Sequence, residues 1–298
     1  MKPLVVLSNA KQQCATFFWK GNPHFYVGYR FLEHEPETLP SPLPGIEMLP
    51  AARSVAMPEP NKAAMSNEEG DPWNKDWGAS HIESDAASGT ELSFTASSDG
   101  SAFCCCIDKR TDQKREFFFE PSEDGVRLSM KLTTRRPITG AFCVQQCLRF
   151  TGSTNVGWRR QVALVPFLSE FDMQARGRPH ETLTFARKSN EWMKFGLSHI
   201  CYHTSPGSPL LGEKSGGEID HGLIVRESLG GKYCSGMYWE RTAYVSNRHP
   251  ADCVHASVDL GPIDSEGSRT VHGKVYFIEG TKDDLLNLWQ HDFPVCER

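Results

Sequence analysis

The chain has 298 residues, 39% of them hydrophobic, enough to bury one large core or two ordinary ones. Its 32 Lys and Arg stand against 37 Asp and Glu, leaving a net charge of -5 and a pI near 6.1. So mild an acidic excess excludes the basic footprint of a nucleic-acid or anionic-membrane binder.

The first element expected is a strand at Pro3-Leu-Val-Val-Leu7. This apolar run is shorter than the roughly 7–15 residues of a secretory core, and nothing in the chain approaches the roughly 18 residues of a spanning helix. With no Asn-x-Ser/Thr sequon either, a cytoplasmic protein is expected, a signal peptide removed beforehand being the open alternative. Aromatic strand text follows at 14–19 and 25–29, and then prolines recur at 36, 40, 42, 44, 50, 58 and 60. That density forbids a helix or a central strand and predicts an extended wrap. Residues 61–72 are polar and read as a loop. The division expected is 1–72, N-terminal strands and Pro-rich wrap, and 73–298, a β-sandwich domain.

From Trp73 onward, strands are predicted at 91–96, 102–108, 115–120, 126–133, 140–150, 160–168, 182–187, 195–203, 222–228, 232–240, 253–260 and 270–278. Leu229-Gly-Gly-Lys232 reads as a hairpin turn. One helix is expected, Lys282–His291, with Thr281 as N-cap and Asp283 and Asp284 at the positive end of its dipole. About a dozen strands and one short C-terminal helix make the fold all-β, a large antiparallel supersandwich-like β-sandwich. Ten cysteines are present. Cys104, Cys105 and Cys106 are consecutive in a strand, and Cys143 and Cys147 sit ~13 Å apart along another, beyond disulfide reach. Reduced core thiols are expected.

The last two predicted strands alternate strictly. Val254, Ala256, Val258 and Leu260 interleave with Cys253, His255, Ser257 and Asp259, while Val271, Val275 and Phe277 interleave with His272, Lys274 and Tyr276. Joined as a hairpin, they would set His255 near Tyr276, Ser257 near Lys274 and Asp259 near His272 on one polar face. The preceding segment concentrates Trp239, Glu240, Arg241, Tyr244, Asn247, Arg248, His249 and Asp252. Aromatic rings stack on sugar faces while Arg, Asn and carboxylates bind hydroxyls, so this reads as a saccharide site or as a self-capping strand edge. Further candidates are Gln145 and Arg149 for a carboxylate, the aromatic–basic cluster at Trp158, and His221 at a strand mouth. Glu170, flanked by apolar residues, is a candidate base or a partner for Arg187. His249, Cys253, His255 and His272 are the donors suited to a transition metal such as zinc, although their spacing matches no strong ligand motif and an unligated state is expected. No cofactor is implied: Gly207–Ser215 departs from a phosphate loop at Glu213, and no nucleophile elbow, zinc helix or dinucleotide fingerprint occurs.

The many strands, the chain length, the scattered Arg, His, Glu and Trp, and the closing strand Gly273-Lys-Val-Tyr-Phe-Ile-Glu-Gly280 together resemble galactose-mutarotase-like supersandwich proteins and β-sandwich polysaccharide lyases. The resemblance implies proton transfer on a sugar, with Glu240 or Glu170 as base, His255 as acid or base and Tyr276 as proton donor. The function expected is therefore carbohydrate-active, of epimerase, mutarotase or lyase type, with a saccharide ligand. In the lyase form Arg149 and Gln145 would hold a uronate carboxylate, with Trp239, Arg241, Trp158, His221 and Lys274 as further binding residues. Two alternatives stay open: a non-catalytic carbohydrate-binding sandwich stacking sugar on Trp239, Trp158 and Tyr276, and a metal-dependent enzyme using the His/Cys set.

Overall fold

A computed structural model describes residues 4–9, 14–18, 26–30, 37–38, 90–97, 99–108, 111–149, 184–195, 200–204, 215–227, 231–248 and 253–294. The predicted strand at 160–168, most of the Pro-rich wrap and the 61–72 loop lie outside these residues.

The strands run in chain order as β1 (Leu4–Asn9), β2 (Cys14–Phe18), β3 (Tyr26–Arg30), β4 (Glu37–Thr38), β5 (Thr90–Ala96) and β6 (Ala102–Asp108). Next come β7 (Gln113–Ser122), β8 (Gly125–Thr134), β9 (Phe142–Arg149), β10 (Thr184–Lys188), β11 (Glu191–Lys194) and β12 (Ile200–His203). The last six are β13 (Ser215–Glu218), β14 (Ile224–Glu227), β15 (Tyr233–Trp239), β16 (Thr242–Arg248), β17 (Cys253–Asp259) and β18 (Ser268–Glu279), followed by helix α1 (Lys282–Asp292). They form two nine-stranded sheets. Sheet A runs β1-β2-β3-β9-β17-β16-β12-β13 with β4 also on β9, and sheet B runs β11-β10-β14-β15-β18-β8-β7-β6-β5. Pairing is antiparallel except between β12 and β13. The all-β sandwich with a short terminal helix is what is observed.

Period-2 alternation fills the space between the sheets. Sheet A contributes Val144, Leu148, Val254, Ala256 and Val258, and sheet B contributes Phe117, Phe119, Val126, Leu128, Val271 and Val275 to one core. The same alternation sends Cys143, Gln145, Cys147, His255 and Ser257 to the outer face of sheet A. On sheet B it sends Phe118, Arg127, Ser129, His272, Lys274 and Tyr276 outward.

One correction follows from the pairing. β17 and β18 do not form a hairpin. β17 lies between β9 and β16 in sheet A, whereas β18 lies between β15 and β8 in sheet B. The chain crosses between sheets after Asp259, whose Oδ1 accepts from the backbone N–H groups of Phe142 and Gly261, both at 2.9 Å.

A polar chain ties the sheets together inside the core. The Trp239 indole on β15 donates to the Tyr29 hydroxyl on β3 at 3.2 Å, and that hydroxyl donates to Gln146 Oε1 on β9 at 2.6 Å. The indole fits because residue 273 opposite is glycine; a Cβ there would stand 2.5 Å from an indole carbon. A second tie joins Arg226 of sheet B, donating to Asn247 Oδ1 of sheet A and to Thr184 Oγ1, each at 3.1 Å. Helix α1 starts in a capping box formed by Thr281 and Asp284 and lays Leu285 and Trp289 on sheet B. Replacing Tyr29 with Phe removes the hydroxyl from both of its neighbours and should cost about 1–3 kcal/mol in urea denaturation.

Candidate functional site

On the outer face of sheet A the register arranges functional groups in three cross-strand rows. The central row is Cys201, Ser246, His255 and Cys147. His255 is 1% exposed, and its Nδ1 lies 3.2 Å from Ser246 Oγ. A second row is His203, Tyr244, Ser257 and Gln145. Here Ser257 is wholly buried, and its hydroxyl has no hydrogen-bond partner among the described residues. The third row sets Cys253 between Arg248 and Arg149. Four strands thus bring two imidazoles, hydroxyls, an amide and two arginine positions together, opposite the face that carries the core.

The outer face of sheet B is built differently. Lys274 is 2% exposed, and its ammonium sits between Asp124 Oδ2 at 2.7 Å and Asp292 Oδ2 at 2.6 Å. Burial alone would raise the Asp124 carboxyl, but Lys274 and the Ser122 hydroxyl hold it below the usual carboxylate range. Tyr276 donates to the same Asp292 oxygen at 3.1 Å, and burial, with Asp292 beside it, pushes its phenol far above the ordinary range. These groups lock the end of α1 to the sheet. His221 packs against Trp289 with ring centroids 4.1 Å apart and the rings tilted by 33°, and burial lowers its pKa from 6.5 to about 4.

The residues expected to act together are therefore divided. His255, Gln145, Arg149 and Cys253 share one side of the sandwich. Tyr276, Lys274 and His272 lie on the other, with both sheets and the core between them. The pairings of His255 with Tyr276, Ser257 with Lys274 and Asp259 with His272 are not formed. A metal set that joins His255 and Cys253 to His272 cannot converge for the same reason. Trp239 is no stacking platform: it is 1% exposed and belongs to the core. Tyr276 is buried under α1 and offers no open face either. Arg241 holds the sheet crossing, donating to the Asp259 and Gly261 carbonyls at 2.8 and 2.7 Å. Glu240 accepts from the His272 backbone N–H at 2.9 Å. Glu170, Trp158 and His249 lie outside the described residues. Among the described residues no group of three or more His, Cys, Asp and Glu is placed to hold a metal ion.

Ser246 is the neighbour of His255 that sequence reasoning missed. Reading 242–248 as the strand before 253–259, joined by the short stretch 249–252, would have faced it with His255.

No protein family matches the chain, and no curated protein does. Solved structures do. A galactose mutarotase-like protein from Lactobacillus casei matches with a TM-score of 0.37 at 9% identity, over 63% of this chain and 73% of the other. The chain is similar to galactose mutarotase-like proteins. An Escherichia coli protein assigned as an aldose 1-epimerase also gives a TM-score of 0.37, at 10% identity over 63% of this chain and 69% of its own. A human-microbiome protein assigned as a kojibiose phosphorylase gives 0.34 at 9% identity over 67% of this chain, which spans only 22% of that protein. Likeness of this size leaves the chemistry to be read from this chain's own residues. No helix among the described residues is long and apolar enough to cross a membrane.

Two expectations follow for the sheet B cluster. Lys274→Met leaves two partly buried carboxylates without their cation and should lower stability by about 3–5 kcal/mol, with protection of the α1 amides against hydrogen exchange lost first. His221 stays neutral in the fold down to about pH 4, whereas in the unfolded chain it protonates near 6.5. The unfolded state binds more protons in that window, so stability should fall as the pH drops from 6.5 towards 4. In His221→Phe that acid limb should flatten in urea titrations across the window.

Proposed function

We propose that this protein binds an acidic saccharide on the outer face of sheet A and moves a proton on it with His255. The Ser257 hydroxyl carries the reading. A buried hydroxyl left unpaired costs about 1–3 kcal/mol, and such a group beside an ionisable side chain marks a place where a ligand oxygen docks. Gln145 stands next to it across the strand pair, and its amide makes no hydrogen bond to the described residues. The row that holds the Arg248 and Arg149 positions lies two residues along from His255, and arginine is the residue type suited to a carboxylate.

The chemistry follows from the histidine's setting. With Nδ1–H donating to Ser246 Oγ, Nε2 carries the lone pair and takes a proton from the sugar carbon beside the carboxylate. The negative charge that develops is held by the carboxylate's partners in the neighbouring rows. The protonated imidazole then gives the proton to the leaving glycosidic oxygen as its C–O bond breaks, which cleaves the chain and leaves an unsaturated sugar. His255 is 1% exposed and Ser257 wholly buried, so the reading requires this face to open to the saccharide, and water is excluded from the imidazole until it does.

The test combines two variants with uronate saccharides as substrates, turnover being followed as unsaturated product by NMR. His255→Gln should lower turnover at least ~100-fold while saccharide binding stays within a few-fold. Ser257→Ala should leave stability unchanged or slightly raised, because no hydrogen bond is lost, and should weaken binding by about five- to tenfold. Unchanged turnover in His255→Gln, or binding without turnover in the unaltered protein, would overturn the proton-transfer assignment.

A further inference from the structure

We infer that a groove on the outer face of sheet B, on the opposite side of the sandwich from His255, is a binding site for a neutral oligosaccharide. Its floor is made of two cross-strand rows. In one, Phe118, Ser129 and His272 stand side by side on β7, β8 and β18; in the other, Glu120, Arg127 and Lys274 do. The end of α1, with Asp292 and Phe293, forms one wall, and the groove encloses about 480 Å³. That lies within the ~300–1,000 Å³ typical of small-ligand sites.

Three observations give it a ligand class. First, Phe118 is 41% exposed although both sequence neighbours, Phe117 and Phe119, are 1% exposed in the core. Of the described large apolar side chains only Phe118 and Ile107 are exposed to this degree, and Phe118 is the one that lines the groove. A phenyl face held in water on a rigid strand suits the C–H face of a pyranose ring. Second, Glu120 and Arg127 are opposite charges directly across the strand pair, yet they form no ion pair with each other or with any described residue. The side chains of Ser129 and His272 likewise have no hydrogen-bond partner among the described residues. Donors and acceptors are thus presented to the groove unspent. Third, the charge is small and slightly negative: Glu120 offsets Arg127, and Lys274 stands between two carboxylates, Asp124 and Asp292. Such a lining gives no net attraction to a phosphate or a uronate, but matches a ligand rich in neutral hydroxyls. The inference stands apart from the reading of sheet A, because the two sites share no residue.

The experiment titrates the full chain with maltotriose, cellotriose and mannotriose by isothermal calorimetry and saturation-transfer NMR, with galacturonate in parallel. At least one neutral trisaccharide should bind in the millimolar range or tighter. Its affinity should fall about tenfold in Phe118→Ala, be retained in Phe118→Tyr, and be unchanged in His255→Gln. Residue 118 is exposed, so the variants keep the fold; circular dichroism confirms this. Absence of binding by all three neutral sugars, wild-type affinity in Phe118→Ala, or a preference for galacturonate that depends on Phe118 would each overturn the inference. Galacturonate binding that is weakened in Ser257→Ala but kept in Phe118→Ala reports on sheet A alone, so either site can fail without the other.

Discussion

Much of the molecule depends on the hydrogen-bonded chain that runs from Trp239 through Tyr29 to Gln146 across the sandwich. An indole, a phenol and an amide in a dry core are tolerated only when each finds its partner, so the chain fixes which face of β9 and β15 points inward. Because β17 pairs with β9 residue for residue, the inward setting of Gln146 and Leu148 obliges Ala256 and Val254 to point inward too. His255 and Ser257 then have no choice but the outer face. A one-residue slip would bury the histidine in the core and turn valine outward. The candidate face of sheet A is thus a consequence of satisfying three polar groups on the other side of the same strands.

The two outer faces solve different problems. Sheet A carries His203 and His255, thiols, hydroxyls and an amide, with His255 buried among them. Sheet B carries paired charges. There Lys274, between two carboxylates and over the Tyr276 ring at 4.7 Å, fastens α1 to the sheet. Ionic fastening suits an element that contributes few buried apolar residues of its own, Leu285 and Trp289. It also forms one edge of the groove beside Phe118, so stability and recognition on that face draw on the same carboxylate, Asp292.

Much of the architecture was legible because alternation and capping are local. The strand text around Phe117 to Phe119, the alternation of Val254 to Leu260, and Thr281 ahead of two aspartates all specify their elements without knowledge of the rest. What was not legible is non-local. The apolar face of β17 is satisfied against any partner that buries it, and sequence adjacency pointed to β18, whereas the chain crosses to the other sheet. Nothing in Gly261 to Gly267 announces that crossing except Asp259, which accepts from backbone groups on both sides of it. β16 escaped notice because its inward positions include Asn247, a polar residue that becomes acceptable only when Arg226 and Thr184 meet it from the opposite sheet. Trp239 read as a sugar-stacking residue because the sequence does not reveal that Gly273 leaves space for its ring inside the core. For the site, His255, Gln145, Arg149 and Cys253 were legible as candidates and are brought to one face, while the partner of His255 proved to be Ser246 rather than Tyr276.

The most direct test of the central claim is the imidazole signal of His255 itself, followed by NMR in histidine-labelled protein during titration with galacturonate and assigned with the His255→Gln variant. The account predicts that this resonance shifts saturably with the ligand while those of His221 and His272, on the far side of the sandwich, stay in place. A His255 signal that remains fixed while galacturonate binds elsewhere would contradict it.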